Sequence, residues 1–167
     1  AGIELSVEPG KGYRKFHMLG LGVDPAAPCL AGFLDEIRAG RNERNSMIIA
    51  KLNGMGIPIS GEEAGKYANG KIVARPHIAR VLVDKGFAES VADAFARYVG
   101  DGAPAYVTRF HPDQARAIDV IHRAGGAAVM AHPRYWTSDP EALCAGLARL
   151  KDIGLDGIEA EYQANAP

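Results

Sequence analysis

Charge of one sign, long apolar runs and paired cysteines are all scarce in this sequence, and each scarcity removes a class of function. The 167 residues carry 19 basic and 20 acidic side chains, for a formal net charge of -1. No bulk field draws such a chain to nucleic acid or to an anionic membrane, so any phosphate recognition has to come from a few placed arginines. No apolar stretch approaches the roughly 20 residues of a membrane-spanning helix. Ala1-Gly2-Ile3-Glu4 has neither the basic start nor the apolar core of a secretory leader. The two cysteines, Cys29 and Cys144, match no metal-ligand or redox spacing. Both fall in segments that read as helix, which predicts buried, reduced thiols and fits a cytoplasmic protein. Internal repeats and low-complexity segments are also missing. The remainder, 47% hydrophobic and 23% charged, has the composition of an ordinary globular domain, or of one with an insert.

Along the chain the pattern falls into three parts. Residues 1–23 read as two strands around the turn Glu8-Pro9-Gly10-Lys11-Gly12, the second running from about Tyr13 to Val23. From about Cys29 to Gly102 the signal is helical throughout. Leu30, Phe33, Leu34 and Ile37 begin an apolar stripe that Ile48, Leu52 and Met55 resume. Ser60-Gly61-Glu62-Glu63 reads as a capping box, Pro76 as the first turn of another helix, and Ser90 as the cap of the next. Helix and strand then alternate. Pro112 to Ala124 is a helix ended by Gly125-Gly126, and Ala127 to Ala131 is a short buried strand. Asp139 to Ile153 is helical, and a strand runs from Gly157 to Tyr162. That order predicts an α/β fold with a parallel sheet or barrel. Strands at both ends would leave such a sheet short of its outer members, so the sequence reads as an internal piece of a longer protein.

Several residues could carry chemistry. His132 ends the apolar strand and precedes Pro133, which halts pairing. Strand carboxyl ends form the active face of parallel α/β proteins, so His132 reads either as a metal ligand or as a plain loop residue. Glu4 lies opposite the Ile3, Leu5 and Val7 face and is either a solvated strand residue or a carboxylate aimed into a barrel. His17 shares a strand face with Leu19 and Leu21 and is expected to point inward, as a hydrogen-bonded core residue or a third ligand. Three N/O donors on three strands are the type set for a hydrolytic transition-metal site. Ile37, Arg41, Arg44 and Ile48 keep helical spacing, so two guanidiniums interrupt an apolar stripe. They either pair with Glu43 or Asp35 at the surface or clamp an anion, because two forks one turn apart match phosphate oxygens. Arg75-Pro76-His77 offers a further anion candidate at the positive end of a helix. His111 and His122 have ordinary surface explanations, and Tyr135 and Trp136 read as packing residues that could also meet a base or ring.

Taken in order, Gly2-Ile3-Glu4-Leu5-Ser6, Phe16-His17-Met18-Leu19-Gly20, Arg41 to Arg44, Arg75-Pro76-His77-Ile78-Ala79-Arg80, Ala131-His132-Pro133 and Gly154-Leu155-Asp156-Gly157-Ile158-Glu159 resemble the PHP (polymerase and histidinol phosphatase) family. Within it they look most like the bacterial nucleoside 3′,5′-bisphosphate phosphatases and related small phosphoesterases, over the whole chain. The resemblance implies an α/β fold that is part of a distorted (β/α)₇ barrel. Barrel strands would occupy residues 1–28, an all-helical insert 29–104, and the continued barrel 105–167. It also implies a polynuclear cluster of divalent metal ions (Mn, Fe or Zn), with Glu4, His17 and His132 matching ligands. Arg41, Arg44 and Arg75, with His77 beside them, match positions that hold substrate phosphate. The implied reaction is attack of a metal-bound hydroxide on a phosphomonoester of a small phosphorylated substrate, a nucleotide.

The family's opening His-x-His motif, its following Asp and His ligands and its closing Asp-x-His motif have no counterpart here, so the chain alone is expected to be inactive. The turn after His132 reads Pro133-Arg134-Tyr135, where relatives often carry glycine after the proline. No general acid or base is carried over. The rival reading is a PHP module that binds a nucleotide or a partner without hydrolysing anything, and a third is another metal-dependent hydrolase with a similar barrel. The retained arginines and His77 favour a small phosphorylated substrate over both.

Overall fold

The structure, a computed structural model, describes residues 1–14, 16–68 and 72–161. It is mixed α/β and divides into two compact units, one formed by residues 1–35 with those from His111 onward, the other by Glu36–Phe110.

The first unit is built on a four-stranded sheet in the order β1 (Gly2–Val7), β2 (Phe16–Leu21), β3 (Ala127–Ala131), β4 (Gly157–Ile158). Alternation in β1 and β2 sorts the side chains by face. Leu5, Val7, Phe16 and Met18 go to the core with Ala128 and Met130. There they meet Ile118 and Ile121 of α5 (Gln114–Arg123), which packs on β1 and β3. The parallel sheet expected from the helix–strand alternation holds only for β3 with β4. The pairs β1–β2 and β2–β3 are antiparallel. Strands β1 and β2 are joined by a short turn, which permits only antiparallel pairing, whereas the β3–β4 connection carries α6 (Pro140–Asp152) and allows the parallel one. The last strand covers Gly157–Ile158, and Tyr162, expected at its end, lies outside the described residues.

Local signals fix the helix ends. Asp113 accepts from the Arg116 N–H at 2.8 Å to start α5, and Asp139 accepts from the Glu141 N–H at 2.9 Å to start α6. Gly125, at φ 77°, supplies the left-handed residue that closes α5, with the Gly126 N–H donating to the Ile121 carbonyl at 3.0 Å. His122 in the last turn of α5 bonds Asp156 at 2.7 Å, and the same carboxylate accepts from the Ala128 N–H at 2.7 Å. These bonds, His122 first, hold the Asp156 carboxyl below the usual carboxylate range. Both cysteines are free, but neither is buried as expected. Cys29 is half-buried. Cys144 is exposed because α6 turns Gly146 and Leu150 inward and leaves position 144 off that face.

The second unit holds helices and connecting segments but no strand among its described residues. It holds most of α1 (Pro28–Gly54), with α2 (Gly61–Ala68), α3 (Arg75–Asp84), α4 (Val91–Ala94) and a π turn over Phe95–Val99. The stripe begun at Leu30 and resumed at Ile48 belongs to one continuous helix. It passes through Gly40, where an added Cβ would stand 2.9 Å from the Cβ of Phe110. Ser60 and Glu63 make the reciprocal bonds of a capping box, at 3.2 and 2.8 Å, and Ser90 accepts from the Asp93 N–H at 3.1 Å. Ile48, Leu52, Ile57, Ile59, Ile78 and Leu82 form this unit's core. No described helix is long and apolar enough to cross a membrane.

Trp136 anchors the first unit. Its ring stacks on Tyr13 at 4.0 Å between centroids, and its Nε1–H donates to the Pro9 carbonyl at 2.8 Å. Gly146 of α6 lies so close to that ring that a Cβ would overlap it. Replacing glycine by alanine in a helix ordinarily gains about 1 kcal/mol. Here Gly146→Ala is expected instead to destabilise the chain by about 1–3 kcal/mol through overpacking, read as a lower urea midpoint. A raised midpoint would show that Trp136 yields freely.

Candidate metal centre and anion site

Strand register brings Glu4, His17 and His132 together. Glu4 pairs with Leu19 and Ser6 with His17, so Glu4 and His17 are diagonal neighbours on the face opposite the core. His17 in turn pairs with Ala131, and His132 is the next residue. His132 adopts φ 34° and ψ 61°, the one non-glycine residue among those described with a left-handed backbone. A β-carbon in that region costs about 1–2 kcal/mol. The surroundings enforce it. The His132 N–H donates to Glu159 Oε2 at 2.8 Å, Pro133 is buried, and the Tyr135 N–H donates to the His132 carbonyl at 3.0 Å. Because of this turn the imidazole faces back over the sheet instead of following the strand.

Three donor atoms result. His17 Nδ1 lies 3.0 Å from Glu4 Oε1 and 3.1 Å from His132 Nε2, and His132 Nε2 lies 3.6 Å from Glu4 Oε1. The circle through these atoms has a radius of about 1.9 Å, shorter than the bonds of about 2.0–2.2 Å that divalent zinc makes to imidazole nitrogen and carboxylate oxygen. One cation can therefore touch all three. Two imidazoles and a carboxylate, intermediate in softness, suit Zn, Fe or Mn better than Ca or Mg. Beside the triangle, a depression of about 580 Å³ is lined by Arg14, His17, His132 and Tyr135. Tyr135 meets the His132 ring edge-on at 5.2 Å. Trp136, which the sequence left open as a base contact, is committed to the core.

Unit two collects positive charge. Arg44 and Asn45 are the buried polar residues among those described, at 6% and 5% exposure. Asn45 Nδ2 donates to the Val73 carbonyl at 2.8 Å, tying α1 to the segment before α3, while Arg44 Nε is buried with no partner. Burial, then repulsion from Arg75, Arg109 and Arg41, lowers the Arg44 guanidinium to about 10, so it stays charged at neutral pH. Arg109 is pushed down in the same way, by burial and then by Arg41 and Arg75. Arg75 is braced by the Val99 carbonyl at 3.2 Å and by Asp101 at 2.9 Å, with its guanidinium over the rings of Phe95 and Tyr106. Arg41, Arg44 and Arg75 thus come together electrostatically. His77 does something else: its Nδ1 accepts from the Ala74 N–H at 3.1 Å and caps α3. Arg109, Arg14 and Glu159 were not singled out in the sequence. Arg109 and Arg14 sit in irregular segments where no periodicity marks a face, and Glu159 follows a strand too short to show alternation.

No family model matches the chain. It is 39% identical over 133 residues to the 3′,5′-nucleoside bisphosphate phosphatase of Chromobacterium violaceum, covering 79% of this chain and 46% of that protein. It is 37% identical over 154 residues to the 5′-3′ exoribonuclease Rnm of Escherichia coli, covering 92% of this chain and 53% of that protein. A Bifidobacterium adolescentis structure described as a metal-dependent phosphoesterase superposes with a TM-score of 0.79 at 27% identity, over 99% of this chain and 58% of that one. The chain spans about half the length of the curated relatives it matches.

If the triangle holds a cation, losing one nitrogen is felt directly. His17→Ala and His132→Ala are each expected to lower Mn²⁺ affinity by more than about 10-fold, the cost of losing even an outer-shell partner, with little change in the unfolding midpoint. Calorimetric titration measures this, and unchanged affinity in both variants would place the cation elsewhere.

Proposed function

Because the chain belongs to the PHP family, we propose that the complete protein is a metal-dependent phosphoesterase acting on a phosphomonoester of a small substrate, a nucleotide. The observation that carries this reading is the triangle of Glu4, His17 and His132, whose donors lie 3.0–3.6 Å apart. The residues fit a divalent cation, Mn, Fe or Zn, as one part of a polynuclear cluster completed by ligands outside residues 1–167. When bound, the metal supplies Lewis acidity at a phosphoryl oxygen. Glu4 contributes the negative charge that favours a dication, and the strained turn at His132, held by Glu159, keeps the imidazole directed at it. Arg41, Arg44 and Arg75 bind a substrate phosphate, and the buried, unpartnered Arg44 Nε supports this, since an anion would satisfy both its charge and its donor. His77 would contribute through its other ring nitrogen, Nδ1 being taken by the helix cap. In this reading residues 1–28 and 105–167 belong to a (β/α)₇ barrel and 29–104 are its helical insert, in a cytoplasmic enzyme.

A second reading takes its support from the exoribonuclease relative: the substrate is the phosphorylated end of an RNA. The net charge of -1 argues for few contacts beyond the terminal nucleotide. A non-catalytic nucleotide-binding module is the remaining alternative.

The test uses the full-length protein with Mn²⁺, on adenosine 3′,5′-bisphosphate and on a short 5′-phosphorylated oligoribonucleotide. Phosphate release from the bisphosphate, abolished by a chelator, is the expected result. Arg44→Ala is expected to cost about 1.5–3 kcal/mol in kcat/KM, typical of charge-assisted hydrogen bonds. Cleavage of the oligonucleotide alone would favour the RNA reading. Binding without turnover of either would favour the non-catalytic module.

A further inference from the structure

Arg75 is the first residue of α3, a helix with no acidic residue in its first turn. A cation there opposes the helix dipole. Its guanidinium also repels Arg44 and Arg109. A side chain that served packing alone would be better neutral at this position, so the contacts that hold the charge need an explanation.

Three of the four come from the short segment between Phe95 and Asp101, and Tyr106 supplies the other. The π turn Phe95–Val99 is closed by the Gly100 N–H donating to the Phe95 carbonyl at 2.8 Å. Carbonyls in the last turn of a helical segment have no intrahelical partner, and the dipole leaves them negative. Arg75 Nη1 takes one of these, the Val99 carbonyl, at 3.2 Å, and also reaches Asp101 at 2.9 Å. Phe95, at the start of the turn, lies under the guanidinium at 5.8 Å, and Tyr106 faces it at 5.3 Å. An α-helical continuation would have closed on the Val99 N–H and changed the direction of the carbonyls that follow. Single π turns inside helices recur at functional sites for this kind of re-aiming. Gly100 permits the closure: any Cβ there would stand 2.5 Å from the Phe95 carbonyl oxygen, which as backbone cannot yield without opening the turn.

We propose that the π turn Phe95–Val99, closed on Gly100, positions Arg75 for anion binding, with Gly100 and Phe95 as positioning residues. The inference rests on the reading of Arg41, Arg44 and Arg75 as the phosphate-binding set. It adds how one of them is aimed against the repulsion of the others.

The test measures adenosine 3′,5′-bisphosphate binding to the full-length protein by calorimetry with a chelator present, so that neither turnover nor the metal centre contributes. Arg75→Ala is expected to weaken binding by about 10-fold or more. Gly100→Ala should weaken it comparably, and Gly100→Ala combined with Arg75→Ala should be no weaker than Arg75→Ala alone. Phe95→Leu, which leaves the turn's closure intact, should give a smaller loss that also vanishes in the Arg75→Ala background, and it carries the test if Gly100→Ala does not fold. Wild-type affinity in both positioning variants, or losses that add to that of Arg75→Ala, overturns the proposal. An Arg75→Ala variant that binds normally overturns the phosphate-binding reading and this inference with it. That outcome is visible in the single variant, independently of any effect at Gly100.

Discussion

A slip of one residue in the pairing of β2 with β1 would carry His17 to the core face and bring Met18 out beside Glu4. Side chains alternate with period two, so register and face are the same constraint. The apolar set Leu5, Val7, Phe16, Met18, Ala128 and Met130 enforces it, because a slip of β2 would take Phe16 and Met18 out of this core. Burial on one face of the sheet therefore holds the donor triangle on the other. What register cannot supply is the last turn of His132. That comes from local strain at φ 34°, maintained by the buried Pro133 and by the bond to Glu159. The metal-ligand role proposed for His132 fits strain retained where the surrounding structure over-determines it.

The helical unit follows a different logic. Its core is ordinary, but beside it lies a group of arginines in which burial first, and then mutual repulsion, lowers the pKa of Arg44 and Arg109. Like charges gathered at partial burial are unfavourable unless an anion joins them. The cation–ring contacts of Arg75 and its bond to Asp101 offset part of this cost and leave Arg44 Nε without a partner. The proposed phosphate site follows from this, since a bound anion would supply the missing stabilisation.

Much of this was legible in the sequence where the signal is local. The capping box at Ser60, the cap at Ser90, the Gly125-Gly126 stop and the alternation of β1 depend on neighbours a few residues away, and each appears as read. Other features that depend on distant partners were not legible, although the grouping of Glu4, His17 and His132 was. The antiparallel pairing of β2 with β3 joins segments more than 100 residues apart, and nothing in either strand announces its direction. The exposure of Cys144 follows from which face of α6 meets Trp136. The π turn escaped notice because Phe95 to Val99 reads as a regular helix until Gly100 is seen to close it. Arg109 carries no periodic context at all.

The account stands on a single cation bridging Glu4, His17 and His132. Anomalous diffraction from crystals grown with Mn²⁺ tests it directly. The account predicts a manganese peak within bonding distance of Glu4 Oε1, His17 Nδ1 and His132 Nε2 together. A manganese ion bound elsewhere, with these three side chains undisturbed and no density between them, would contradict it.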